Sequence, residues 1–304
     1  MTRMAAVGVL GAAVLASLAA LPVRAQQPSF KAETRLVVLR ATVRNRRGIE
    51  VTDLDQSAFT VYEDGKRQPI TVFRRDDIPV SLALLIDNSG SMRRLRERVE
   101  RAALAFVHAS NPLDEVCVIN FADRPHLDVP LTSSPAALTA GIRRVDSIGG
   151  TALRDAVAMG ESYLHDHAAR ERHVLLVITD GRDNASETSD KTIAATARQQ
   201  DIAVYAIGLF ALGDSSQAKD GRRELDALTE PTGGVAEYPT GLTDIDDAVV
   251  DLARQIRRQY TIAYAPTNQA LDGTYRRIRV DARGREPLVV RTRAGYVADR
   301  SSSP

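Results

Sequence analysis

Residues 81–92 of this chain read Ser-Leu-Ala-Leu-Leu-Ile-Asp-Asn-Ser-Gly-Ser-Met, an unbroken apolar run that ends in Asp-x-Ser-x-Ser. A continuous apolar run bounded by polar residues is the pattern of a strand buried on both faces. The oxygen-rich pentapeptide therefore falls where the chain leaves a sheet at its carboxyl edge, which is where open α/β sheets place their sites. Two later pieces share this character: Gly149-Gly150-Thr151, and the strand 173–180, which ends in Thr179-Asp180 and is followed by Gly181.

Together Asp87, Ser89, Ser91, Thr151 and Asp180 offer two carboxylates and three neutral hydroxyls. These are hard oxygen donors suited to Mg²⁺ or Mn²⁺, and no cysteine or histidine takes part. Two carboxylates neutralise a divalent cation. Mg²⁺ seldom has every position filled by protein, so coordination is left for water or for a carboxylate from a partner. Gly90 and Gly181 permit tight turns near such an ion, and Gly149-Gly150 let the Thr151 loop approach from the side. Taken alone, Asp-x-Ser-x-Ser is also what a helix cap looks like, with Ser89 or Ser91 capping the helix that follows. The order of the three pieces, two of them at strand ends, favours the metal site.

In these positions the chain resembles the von Willebrand factor type A (VWA) domain, whose metal-ion-dependent adhesion site (MIDAS) consists of Asp-x-Ser-x-Ser, a distant Thr and a distant Asp. All five match as Asp87, Ser89, Ser91, Thr151 and Asp180. The resemblance implies that the two serines bind the ion directly, with Thr151 and the aspartates binding directly or through water according to conformational state. It extends to a group of secreted bacterial proteins, the VWFA-related acidobacterial domain family. The segments that carry it are 59–65 (Phe-Thr-Val-Tyr-Glu-Asp-Gly), 150–156 (Gly-Thr-Ala-Leu-Arg-Asp-Ala), 179–184 (Thr-Asp-Gly-Arg-Asp-Asn) and 291–296 (Arg-Thr-Arg-Ala-Gly-Tyr).

The 304 residues allow one large domain or two modest ones, and a formal charge of +1 gives no reason to expect a nucleic-acid partner. Arg93-Arg94-Leu95-Arg96 reads as a solvated helix face. Residues 1–25 read as a secretory signal peptide: Arg3 is the charged start, 4–21 is apolar and Ala-rich, and Val23-Arg24-Ala25 ends in a cleavable pattern. No membrane span is expected after cleavage, and the protein is expected in the periplasm or outside the cell. The single cysteine, Cys117, lies in an apolar strand as a core residue, so no intrachain disulfide is expected.

Element order predicts an α/β fold with a doubly wound, mostly parallel sheet, inserted in or flanked by a small antiparallel β-sandwich. Residues 30–79 form an N-terminal β segment, in which 36–73 alternate apolar and polar positions. Residues 80–258 alternate strands with helices, among them helices at 93–109, 191–200 and 222–229. Residues 259–297 return to β strands, which pair with the first segment because an isolated hairpin is marginal. The stretch 211–221 reads as a polar loop near the rim of the metal site.

Three function classes fit these features. The favoured one is a secreted, non-catalytic adhesion or protein-binding module that captures a carboxylate of a protein ligand through the ion. Asp155, Asp183 and Asn184 are candidate supports around the ligands, or else helix caps and loop hydrogen-bonding residues. A metal-dependent hydrolase or phosphatase is the second class, weakened because none of the five histidines falls at the carboxyl rim and no phosphate-cradling Gly-rich loop occurs. The third is an envelope scaffold in which the ion is purely structural.

Overall fold

The structure, a computed structural model, describes residues 35–75, 77–143, 148–189, 192–193, 196, 201–210, 215–241 and 244–299. The expected signal peptide and most of the helix expected at 191–200 lie outside the described residues.

Its central sheet grows from the apolar run. β5 (Val80–Asp87) is buried along its whole length, and its alternate residues feed two different cores. Leu82, Leu84 and Ile86 face helices α1 (Arg96–Ala109), α2 (Pro135–Arg143) and α5 (Asp244–Arg257). Ala83 and Leu85 face α3 (Leu153–His167) and α4 (Ser215–Thr229). Each fully buried aliphatic side chain contributes about 1.5–3 kcal/mol relative to exposure, so a strand buried on both faces is held twice over. Cys117 is buried in the second core, and burial pushes its thiol up to about 12, an inert group.

Strands β6 (Glu115–Phe121), β7 (Pro125–Thr132), β8 (Arg172–Thr179), β9 (Ile202–Gly208) and β10 (Ala236–Glu237) complete the sheet in the order β10-β9-β8-β5-β6-β7. All neighbours are parallel except the edge strand β7, which runs antiparallel to β6. From β5 the chain winds outward to β6, and from β8 it winds the other way to β9. The order reverses between β5 and β8, so their carboxyl ends open a crevice that no crossover covers.

The remaining strands form two four-stranded sheets. β1 (Val37–Asn45), β4 (Ile70–Arg74), β11 (Tyr260–Tyr264) and β13 (Leu288–Arg291) lie in the order β13-β1-β11-β4; β2 (Phe59–Glu63), β3 (Lys66–Gln68), β12 (Tyr275–Ala282) and β14 (Gly295–Val297) lie in the order β14-β12-β2-β3. In both sheets a strand that precedes β5 pairs with one that follows α5: Leu39 opposes Ile262 and Val61 opposes Val280. Their inward residues share one core with Phe59, Tyr260, Tyr264 and Tyr296. A buried polar cluster joins this sandwich to the parallel sheet: Arg172 donates to Gln259, whose amide donates to Thr42 Oγ1 (3.0 Å) and the Tyr205 hydroxyl (2.6 Å).

Two expectations are corrected. Helix α4 begins at Ser215, not at 222, so most of the expected loop 211–221 is helical, and 211–214 lie outside the described residues. Gly221 reads as a loop residue, yet it is buried in the helix, and a Cβ there would sit 2.5 Å from the Phe210 ring. Packing, not turn geometry, requires that glycine. Likewise Arg96 is half-buried rather than solvated. Its guanidinium donates to Asn88 Oδ1 and to the Ile142 carbonyl (2.6 Å).

Candidate functional site

Asp87 is the last residue of β5, and Thr179 and Asp180 stand at the end of β8, so the two strands bordering the crevice deliver both carboxylates. A chain of short contacts runs between them. The Ser89 amide donates to Asp87 Oδ1 (2.8 Å), Ser89 Oγ lies 3.0 Å from Ser91 Oγ, and Ser91 Oγ donates to Asp180 Oδ1 (2.7 Å). Ser89 occupies the position before a short 3-10 turn, Gly90–Arg94, but its side chain makes no capping bond. Its hydroxyl instead joins the oxygen cluster. Thr151 packs beside the second strand end, its Oγ1 3.1 Å from where a Cβ on Gly181 would stand. A side chain there would press on the Thr151 hydroxyl.

Asp87 is fully buried, and burial pushes its carboxyl from the ordinary 3.8 up to about 6, against hydrogen bonds from Thr179 and Ser89 and with Asp180 adding like charge. Burial also raises the Asp180 pKa, opposed by the Ser91 hydrogen bond. Among the described residues no lysine or arginine offsets either carboxylate. Two desolvated acids without a counter-charge, ringed by neutral hydroxyls, fit a divalent cation by donor type and by charge. No cage of three or more His, Cys, Asp or Glu side chains occurs among the described residues, so half or more of any coordination here comes from hydroxyls and outside ligands.

Surrounding residues fix the three loops. Asn184 Oδ1 accepts the Thr151 amide (2.8 Å). Asp183 accepts the Arg154 amide (2.7 Å), the Arg154 guanidinium (3.1 Å), and the amide (3.1 Å) and hydroxyl (2.5 Å) of Ser186. It thus caps the first turn of α3 and ties that turn to the loop after Asp180. Asp155 is further out, accepting the amides of Glu187 (3.0 Å) and Thr188 (2.8 Å); against desolvation, hydrogen bonds from the Thr188 side chain and these amides lower its pKa. Asn184 thus holds Thr151 by its backbone, while Asp183 and Asp155 brace the neighbouring loops.

Three further residues support the site without being evident from the sequence pattern. Thr179 Oγ1 donates to Asp87 Oδ2 (2.5 Å). Asp123 Oδ1 accepts the Gly150 amide (2.7 Å), and Gly149, with φ 93°, lies so close that a Cβ would stand 2.4 Å from Asp123 Oδ2. Asn88 donates to Asn120 Oδ1 (2.7 Å) and Asn120 Nδ2 donates to Asp128 (2.6 Å), while the Asn88 carbonyl accepts the Ile148 amide (3.1 Å). Asp123 follows β6 at the same rim, and that position was the available signal. The partners of Thr179 and Asn88 depend on neighbouring strands.

The family profile of the von Willebrand factor type A domain matches residues 82–182, which contain all five candidate ligands. No curated protein sequence matches the chain. Among solved structures, proximal thread matrix protein 1 from the mussel byssus, determined with a zinc-occupied MIDAS motif, superposes with TM-score 0.50 at 20% identity, over 64% of this chain and 50% of that one. A mutant of the PilB minor pilin from Streptococcus sanguinis gives TM-score 0.50 at 13% identity, covering 61% and 63%. The vWF domain of the type V pili tip protein Mfa5 from Porphyromonas gingivalis gives 0.47 at 12% identity, covering 59% and 95%. A doubly wound sheet with candidate oxygen ligands at its switch point, and the profile match across them, mark residues 82–182 as a von Willebrand factor type A domain within this chain.

Proposed function

We propose that this protein is an exported, non-catalytic adhesion or protein-binding module. It holds Mg²⁺ or Mn²⁺ with Asp87, Ser89, Ser91, Thr151 and Asp180 and captures a carboxylate of a protein partner at the ion's remaining coordination position. The observation that carries the reading is the buried Asp87 carboxylate and the half-buried Asp180 carboxylate, neither ion-paired among the described residues, joined through two serine hydroxyls at the sheet's switch point. The mussel byssus protein holds zinc in its MIDAS motif. Here the all-oxygen donor set favours the harder Mg²⁺ or Mn²⁺. Support for a non-catalytic role comes from Ser89 and Ser91, whose hydroxyls bond to each other and to Asp180, with no histidine in the chain of contacts to serve as base. No helix among the described residues is long and apolar enough to cross a membrane.

Isothermal titration of the full chain with Mg²⁺ and Mn²⁺ tests the ion. Asp87→Ala and Asp180→Ala should abolish binding. Ser89→Ala and Ser91→Ala should each weaken it about tenfold, because water replaces a neutral hydroxyl better than it replaces a charge. Thr151→Ala should act mainly on the partner-bound state. Unchanged affinity in both aspartate variants removes the chemical basis of the proposal.

A further inference from the structure

Beside the candidate ion site, on the side of α3 and α4, lies a cleft of ≈ 540 Å³, within the usual size range of ligand pockets, about 300–1,000 Å³. One wall is the loop that follows Asp180. Asp183 and Arg154 line it, and the Asp183 amide donates to Glu224 Oε2 on α4 (3.1 Å), so the loop that carries the ion ligand and the helix that closes the cleft are hydrogen-bonded together. Its apolar lining residues are Ile193, Ala227, Leu228 and Pro231. Its mouth is cationic. Arg182 (3.2 Å) and Arg223 (3.5 Å) both pair with the one carboxylate of Asp220, and both guanidiniums are more than half exposed. Two arginines on a single aspartate leave one positive charge at the mouth, while Arg154 between Asp183 (3.1 Å) and Glu224 (3.9 Å) leaves one negative charge deeper in, so the lining as a whole is neutral.

We propose that this cleft is the second half of the partner site: it takes a branched aliphatic or aromatic side chain from the same acidic protein segment whose carboxylate meets the ion. The inference rests on the ion-capture reading and adds to it a ligand class and a spacing. Arg182 is two residues from Asp180 and Arg154 three from Thr151, so the cleft begins no more than about 7–11 Å along the chain from the ion ligands. An extended segment advances about 3.3 Å per residue, which sets the apolar residue two to four positions from the captured acid. The two exposed arginines at the mouth favour a segment that places its additional acidic residues beside them, outside the cleft.

The probes are capped fluorescent peptides carrying one Asp and one Leu separated by none to about six Gly/Ser residues, a companion set lacking the Asp, and a set lacking the Leu. Binding to the full chain is followed by anisotropy in Mg²⁺ and in chelator. Affinity should peak when Leu is two to four positions from Asp and exceed that of the Leu-free peptide by about tenfold or more, the value of burying one such side chain. Ala227→Trp fills the cleft from an exposed position on α4 and should erase this peak while leaving Mg²⁺ titration unchanged. Arg182→Glu combined with Arg223→Glu should lower affinity further for peptides with extra acids. Mg²⁺-dependent binding without a spacing optimum, or with one that survives Ala227→Trp, overturns the cleft and leaves ion capture standing. Binding that ignores chelator and Asp180→Ala counts against ion capture itself. Failure of every peptide to bind at about millimolar concentration overturns the cleft.

Discussion

Replacing Asp87 with asparagine separates what the carboxylate does for the ion from what it costs the fold. The folded-state pKa is raised from 3.8 to about 6 by burial. A group raised in the folded state contributes stability that is fully present below its unfolded pKa and is lost as pH rises through the folded value. The ion-free protein therefore loses stability between about pH 4 and pH 6 on account of Asp87 and carries the whole penalty at pH 7.5. A shift of about two units at about 1.4 kcal/mol each makes that penalty ~3 kcal/mol. Asparagine is the neutral isostere. Its Oδ1 can keep the Ser89 amide, and its Nδ2 faces Thr179 Oγ1, whose proton can turn to the Gly181 carbonyl 3.4 Å away. With imperfect rearrangement, Asp87→Asn is expected to be about 1–3 kcal/mol more stable than wild type in chelator at pH 7.5, with the difference vanishing towards pH 4. Mg²⁺ should stabilise wild type by mass action and leave the variant unchanged. Urea unfolding of both proteins from about pH 4 to 8, with chelator and with Mg²⁺, measures this directly. Acids that do not interact with Asp87 titrate equally in both proteins, so the difference reports Asp87 together with its coupling to Asp180. A wild type as stable as the variant in chelator, or a difference independent of pH, refutes the reasoning.

Gly149→Val places a branched residue at φ 93° with its Cβ about to strike Asp123, so the Thr151 loop must shift. Stability should fall by about 1–3 kcal/mol and Mg²⁺-dependent capture should weaken with it, as read by unfolding and by peptide anisotropy. Export is checked by mass spectrometry of the native protein: the mature chain should begin near Gln26, and a full-length chain recovered from the cytoplasm would contradict it.

The strand character of β5 and β8 was legible because both runs are apolar at consecutive positions, which only a sheet covered on both faces rewards. For the same reason Asp87 and Asp180 could be placed at strand ends from their spacing alone. Gly221 shows the limit. A glycine followed by polar residues looks like a loop, and only the Phe210 ring against it reveals a helix. Arg96 looks like a surface charge until Asn88 and Ile142 are folded beside it. By itself, then, the sequence determined which residues are strands, which atoms could face a cation, and that strands lie on both sides of the α/β segment. The tertiary structure decided which strands pair, that Thr179 and Asp123 hold the candidate ligand loops, and that a cleft lined by charged and apolar side chains adjoins them. Periodicity and side-chain chemistry are local properties of the chain, whereas partners separated by 92 residues, as Thr179 and Asp87 are, meet only when the parallel sheet brings their strand ends into register.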